Sequence, residues 1–331
     1  MEHHNNQEIS SPVETREQTT TLVGNGYAHS KIILMGEHAV VYDFPAIALP
    51  FPAVQVHAEV TAVVGLDETH QLDCQYFTGK LAQAPSILDN IQKVVAMTLE
   101  SFKLTPIPLH IKITSTIPQE RGMGSSAAVS VAIVRAICDF HQMPIEDYQL
   151  HMIVNQAEVI AHESTSGLDT LVTSTSSPVI YRKSQSPRPF KLKLDAYLIV
   201  ADSGQAGQTK KAVNLVWQLK EKKPEFVQQM MAAIGNFVQE SQDAILAQKP
   251  ELLGRLMTYN HYYLNQLGVS NAFLDRIINA AWLEGALGAK MTGGGLGGCV
   301  IALARDKDSA KAVAQAMQAA GAVQTWYLHL G

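Results

Sequence analysis

Residues 118–128 read Pro-Gln-Glu-Arg-Gly-Met-Gly-Ser-Ser-Ala-Ala and stand between two segments of different periodicity. Before them, Leu109, Ile111 and Ile113 alternate with His110, Lys112 and Thr114, the period of a half-buried strand. After them, Ala127 to Ile137 is apolar except at Ser130 and Arg135, which suits a buried helix. Gly122 and Gly124 allow a sharp turn and a close approach of backbone to a ligand. Ser125 and Ser126 fall where the helix begins, so unpaired N–H groups and the positive end of its dipole face whatever lies in the turn. Two readings satisfy this pattern: a phosphate cradle, or a tight turn closed by a serine cap.

A second glycine cluster, Thr292-Gly-Gly-Gly-Leu-Gly-Gly298, contains the spacing G-x-G-x-x-G at Gly293, Gly295 and Gly298. A dinucleotide fingerprint must open a helix. Here the loop runs into Cys299-Val-Ile-Ala-Leu303, an apolar run suited to a buried strand. The loop therefore joins two strands and allows close backbone approach to a ligand or a neighbouring segment. No G-x-x-x-x-G-K-[ST] sequence occurs, which removes an ordinary P-loop nucleotidase.

Ionisable groups gather near two further segments. Lys31 precedes the apolar run Ile32 to Leu34, which ends in Gly36-Glu37-His38. Glu158 lies on a helical pattern with His162 on the same face, and Asp169 follows Ser166-Gly167-Leu168. One carboxylate can hold a hard cation while the other takes a proton. Mg²⁺ favours one or two carboxylates together with phosphate oxygens and water, a preference that Ser126 and Glu158 meet.

The chain has 331 residues, 47% hydrophobic and 17% charged, enough for one large or two ordinary domains with a substantial core. A net charge of −5 and scattered Lys and Arg argue against nucleic acid. Cys74, Cys138 and Cys299 lie far apart without metal-ligand spacing, as expected of free thiols in a reducing cytoplasm. No apolar run matches a membrane span, and residues 1–21 are polar, the composition of a disordered tail.

Further strands are expected at 31–35, 54–64, 196–201 and 323–330, with a strand–loop–strand unit over 289–303. Helices are expected at 84–102, 150–161, 208–221, 224–247, 250–267 and 308–319, with another opened by Asn271. Residues 182–189 carry two prolines and suit a turn or junction. Mixed strands and helices of this order indicate α+β.

Three segments carry a family resemblance: Lys31-Ile-Ile-Leu-Met-Gly-Glu-His-Ala-Val-Val-Tyr42, Pro118 to Ala128, and Gly288-Ala-Lys-Met-Thr-Gly-Gly-Gly-Leu-Gly-Gly-Cys299. In this order they resemble the three motifs of the GHMP kinases, over nearly all the chain beyond the tail. Gly-Glu-His-Ala-Val-Val most resembles the branch acting on mevalonate. The resemblance implies a two-domain fold: an N-terminal ATP-binding domain (22–190) like domain 2 of ribosomal protein S5, and a ferredoxin-like C-terminal domain (191–331).

It implies ATP-dependent phosphorylation of the C5 hydroxyl of (R)-mevalonate, with no nucleic-acid or membrane partner; a homodimer is one allowed assembly. By motif position, Glu120, Arg121, Gly122, Met123, Gly124, Ser125 and Ser126 would wrap the ATP phosphates. Ser126 and Glu158 would hold Mg²⁺, Asp169 would take the hydroxyl proton beside Lys31, and Glu37, His38 and Thr209 would arrange the acceptor. Kinases of the same family acting on phosphomevalonate or a sugar, or a non-catalytic ATP-binding relative, are the alternatives. Two departures stand out: His29-Ser30 replaces the usual Pro-Gly before the lysine, and Glu163 and Thr165 replace glycine and proline before the aspartate.

Overall fold

The computed structural model describes residues 22–64, 69–104, 107–162 and 167–331, with 160–162 as backbone only. The expected tail at 1–21 and the departures at Glu163 and Thr165 lie outside the described residues.

Two sheets organise the chain. The first is built on β1 (Gly24–Met35) and β2 (Ala46–Ala62), paired antiparallel. It continues through β3 (Gln71–Cys74), β4 (Phe77–Lys80), β5 (Leu109–Ser115), β6 (Val179–Tyr181) and β7 (Arg188–Pro189) in the order β4-β3-β5-β2-β6-β7, with β1 on β2. Both long strands exceed expectation. Pro50 and Pro52 lie in the first half of β2, and proline lacks a ladder donor. Pro52 falls in a bulge, where the partners jump from His29↔Gln55 to Ser30↔Phe51, while Pro50 pairs in register with Lys31. The expected turn at 182–189 ends in β7, so it still belongs to this sheet.

Helices α1 (Asp89–Ser101), α2 (Ser125–Phe140), α3 (Asp147–His162) and the short α4 (Leu168–Ser174) belong to the same half of the chain. The helix expected from residue 84 begins later. Ile87 falls in a 3₁₀ turn and is 69% exposed, while Ile91, Val94 and Val95 form the buried face. α2 sits directly on β1 because Gly24 and Gly26 lack side chains. A Cβ on Gly26 would stand 1.9 Å from the carbonyl oxygen of Ala132.

The second sheet has the order β11-β8-β10-β9, all antiparallel, from β8 (Tyr197–Asp202), β9 (Gly288–Thr292), β10 (Cys299–Ala304) and β11 (Gln324–His329). Helices α5 (Thr209–Lys222), α6 (Pro224–Leu246), α7 (Pro250–Gln266) and α8 (Ala272–Leu283) link β8 to β9, and α9 (Lys307–Ala319) links β10 to β11. This is a ferredoxin-like βαββαβ path with extra helices in its first crossover. Asn271 caps α8 as expected, its side chain accepting from the N–H groups of Phe273 and Leu274.

The core is continuous between the sheets. Phe51 of β2 is fully buried and meets Trp326 of β11 edge to face at 6.4 Å, in the same apolar cluster as Leu198, Val200 and Ile301. Burying a side chain of that size contributes about 1.5–3 kcal/mol. The three cysteines are free thiols. No helix among the described residues is long and apolar enough to cross a membrane.

Candidate active site

The three sequence motifs converge where β1, the loop before α2 and the β9–β10 loop meet. Gly124 takes φ +71° and ends the loop, so α2 starts at Ser125. The N–H of Lys31 donates to the Met123 carbonyl at 3.0 Å. The Lys31 stem runs across Gly124, where a Cβ would meet Lys31 Cγ at 3.0 Å. From there the ammonium reaches Asp169 Oδ1 at 2.9 Å. The lysine side chain is 3% exposed and the aspartate 48%, so a buried cation backs a carboxylate that faces solvent. Asp169 lies in the first turn of α4, where the helix dipole favours an anion.

Ser126 Oγ donates to Glu158 Oε1 at 2.7 Å, and Ser130 Oγ donates to the same oxygen at 3.3 Å. Asn90 Nδ2 donates to Ser126 Oγ at 3.0 Å. A hydroxyl and a carboxylate therefore stand together at the start of α2, a set of hard oxygens that fits Mg²⁺ shared with phosphate. Among the described residues no group of three His, Cys, Asp or Glu could form an all-protein cage.

The first and third motifs are joined by buried polar contacts. Lys290 of β9 donates from Nζ to Glu37 and, at 2.7 Å, to the Met291 carbonyl. Neither side chain of the Lys290–Glu37 pair has exposed surface, and Asn260 Nδ2 lies 3.4 Å from Glu37 Oε2. Burial pushes the Glu37 carboxyl up and the Lys290 ammonium down, while their mutual attraction opposes both shifts. Glu37 therefore presents no surface to a small molecule.

His38 does. It has φ 62° and ψ −43°, and the N–H of Ala39 donates across it to the Glu37 carbonyl at 2.7 Å, a strained γ-turn. Its Nε2 is 2.8 Å from the Gly294 carbonyl. A carbonyl only accepts, so Nε2 carries the proton and Nδ1 is left as an acceptor. Burial lowers its pKa, favouring this neutral ring. Thr209, the first residue of α5, approaches Gly294 closely: a Cβ there would stand 2.2 Å from Thr209 Oγ1.

The residues expected at the phosphates divide into two sets. Gly122 packs on Gly293, whose added Cβ would stand 3.1 Å from Gly122 Cα, so the two glycine loops are in backbone contact. Met123 is buried in the core. Arg121 faces the second sheet: its Nε donates to Asp202 Oδ1 at 2.7 Å and its Nη2 to the Gly204 carbonyl at 3.0 Å. The Glu120 carbonyl accepts from Gly207 N–H. Sequence reasoning missed Asn90, Asp202, Asn260 and Lys290. Lys290, a lone charge inside an apolar strand pattern, carried the clearest available signal.

Comparison with known proteins extends the pattern. The profile for the GHMP kinases N terminal domain matches residues 89–177, and that for GHMP kinases C terminal matches residues 241–323. A mevalonate kinase of Thermococcus gammatolerans is 32% identical over 306 residues, 87% of this chain and 91% of that protein. The chain is a GHMP kinase. Among solved structures, this GHMP kinase resembles L. major mevalonate kinase in complex with R-mevalonate, at TM-score 0.82 and 26% identity over 94% of this chain and 98% of that one. It also resembles mevalonate kinase from methicillin-resistant Staphylococcus aureus, at TM-score 0.72 and 32% identity over 94% and 100% of the two chains.

Proposed function

We propose that this GHMP kinase is a mevalonate kinase, transferring the γ-phosphoryl group of ATP to the C5 hydroxyl of (R)-mevalonate. The observation that carries the chemistry is the buried Lys31 ammonium 2.9 Å from the half-exposed Asp169 carboxylate, beside the glycine loop. Similarity to mevalonate kinases over most of the chain supports the acceptor.

Phosphoryl transfer asks a protein mainly for positioning and charge neutralisation. In this reading the N–H groups of the loop at 122–126 bind phosphate oxygens. Ser126 and Glu158 would hold Mg²⁺, which would offset charge on the phosphates. Asp169 accepts the C5 hydroxyl proton as that oxygen bonds to the γ-phosphorus and ADP leaves. Lys31 orients Asp169 and offsets charge on the attacking oxygen. His38 Nδ1 accepts from an acceptor hydroxyl, and Thr209 contacts the acceptor from the other side of Gly294. Glu37 holds the His38 turn through Lys290, and Arg121 holds the loop through Asp202.

The same reading divides the chain at residues 190 and 191, a division supported by the change of sheet between β7 and β8. Free thiols support a cytoplasmic setting. The test is an ATP-coupled assay offering mevalonate, phosphomevalonate, galactose and homoserine. Turnover is expected with mevalonate; faster turnover of another acceptor, or none with any, would overturn the assignment.

A further inference from the structure

Arg135 and His29 are absent from the roles given above, yet both bind the far end of the helix that carries Asp169. α4 has seven residues, too short to be stable by itself, and its last carbonyls lack partners within the helix. Arg135, the one charged residue in the apolar run of α2, donates from Nη2 to the Ser174 carbonyl at 2.8 Å. Its Nη1 donates to the Tyr27 carbonyl of β1 at 2.6 Å. His29 of β1 places Nε2 2.7 Å from the Thr175 carbonyl and Nδ1 2.8 Å from the Ser30 carbonyl; a neutral ring has one N–H, and the tautomer that carries it on Nε2 donates to Thr175. Two neighbouring carbonyls at the negative end of α4 are thus bound by side chains from β1 and α2.

Those two elements also carry Lys31 and Ser126. Lys31 is two residues beyond His29, and the glycine loop opens α2. Gly24 and Gly26 let α2 rest on β1 backbone to backbone, so strand and helix form one frame. Asp169 stands at the opposite end of α4, about 7.5–9 Å from the clamped carbonyls at about 1.5 Å per residue. A tilt of so short a rod at one end is carried to the other, and misplacement by about 1 Å can cost about a hundredfold in rate. Burial disfavours the charged form of Arg135, so keeping it here calls for compensating contacts, which the two carbonyls supply. His29 is also the position where the family's usual Pro-Gly is replaced. Proline has no side-chain donor, so this contact is particular to chains with a donor there.

We propose that Arg135 and His29 are positioning residues for phosphoryl transfer, clamping the carbonyls of Ser174, the last residue of α4, and of Thr175, which follows it, to α2 and β1 so that Asp169 stays opposite Lys31. The proposal rests on the reading of Asp169 as the proton acceptor. Its test is steady-state kinetics of Arg135→Gln, Arg135→Lys, His29→Ala and His29→Gln, alone and combined with Asp169→Asn, alongside thermal midpoints. Arg135→Gln should lower kcat about ten- to a hundredfold with KM for ATP and mevalonate changed less than about threefold. Arg135→Lys, which keeps one donor contact, should fall between. His29→Ala should lower kcat, and His29→Gln, whose amide still donates, should restore most of it.

In the Asp169→Asn background each change should add less than about twofold, because the group being positioned is already disabled. Full kcat in Arg135→Gln and His29→Ala, or losses equally large in the Asp169→Asn background, would overturn the clamp. Should Arg135→Gln not fold, the His29 pair and Arg135→Lys decide by the same criteria. Nearly full kcat in Asp169→Asn by itself would instead remove the proton-acceptor reading, a separate outcome.

Discussion

The N–H of Lys31 donates to the carbonyl of Met123 at 3.0 Å, so main chain joins the strand bearing the lysine to the glycine loop. The lysine stem then lies over Gly124, which has φ +71°. Gly124→Ala should therefore act twice. The left-handed conformation costs about 1–2 kcal/mol for a residue with a Cβ. The added methyl also stands 3.0 Å from Lys31 Cγ and displaces the ammonium from Asp169. Calorimetry should show a lowered Tm, and kcat should fall even at temperatures where the variant is fully folded. Unchanged kcat would mean that the lysine tolerates displacement.

Lys31 and Asp169 are expected to fail differently. Removing a general base usually costs about 10²–10⁴ in rate, so Asp169→Asn should lower kcat by that order while ATP still binds. Lys31→Met removes a cation but leaves the carboxylate, and about 10²–10³ is expected. If the two residues act as a unit, the double variant should be little worse than Asp169→Asn. A product of the two separate losses in the double variant would show that they act independently.

The glycine loop, the strand-to-strand character of the 292–298 loop and the helices of the second half were legible because each depends on local periodicity and turn chemistry. So was the grouping of Ser126 with Glu158, through their place in the motif order. What stayed hidden depends on partners far apart in the chain. Arg121 reads as a phosphate ligand until Asp202, 81 residues on, is seen to hold it. Glu37 reads as a substrate contact until Lys290, 253 residues on, encloses it. The first half of β2 was masked by Pro50 and Pro52, whose local preference is overridden by pairing with β1.

The Glu37–Lys290 pair makes a distinct prediction. Removing one member of a buried pair leaves the other charged group without compensation, which costs about 3–5 kcal/mol. Lys290→Met should therefore be strongly destabilised in urea. Lys290→Met combined with Glu37→Gln should recover much of that loss, because no lone charge remains buried. Catalysis should not recover equally, since the turn at His38 loses its tether. Equal recovery of kcat and stability would show that the pair serves the fold alone.

His151, on the helix that carries Glu158, tests the effect of burial on pH dependence. Desolvation lowers its pKa, and its Nδ1 is buried without a hydrogen-bond partner among the described residues. The unfolded chain has an ordinary histidine pKa of about 6.5. Below that value the unfolded state binds more protons at this site than the folded state, so stability falls as pH drops. The contribution is fully present above about pH 6.5 and disappears as pH falls through the folded value. Glu37, raised by burial, acts in the opposite direction, so wild type alone gives a mixed profile. Comparing wild type with His151→Leu removes that complication, because every other group is common to both. Between pH 7.5 and 5.5, the urea midpoint of wild type should fall further than that of His151→Leu. Parallel curves would show that this ring takes up its proton as readily folded as unfolded.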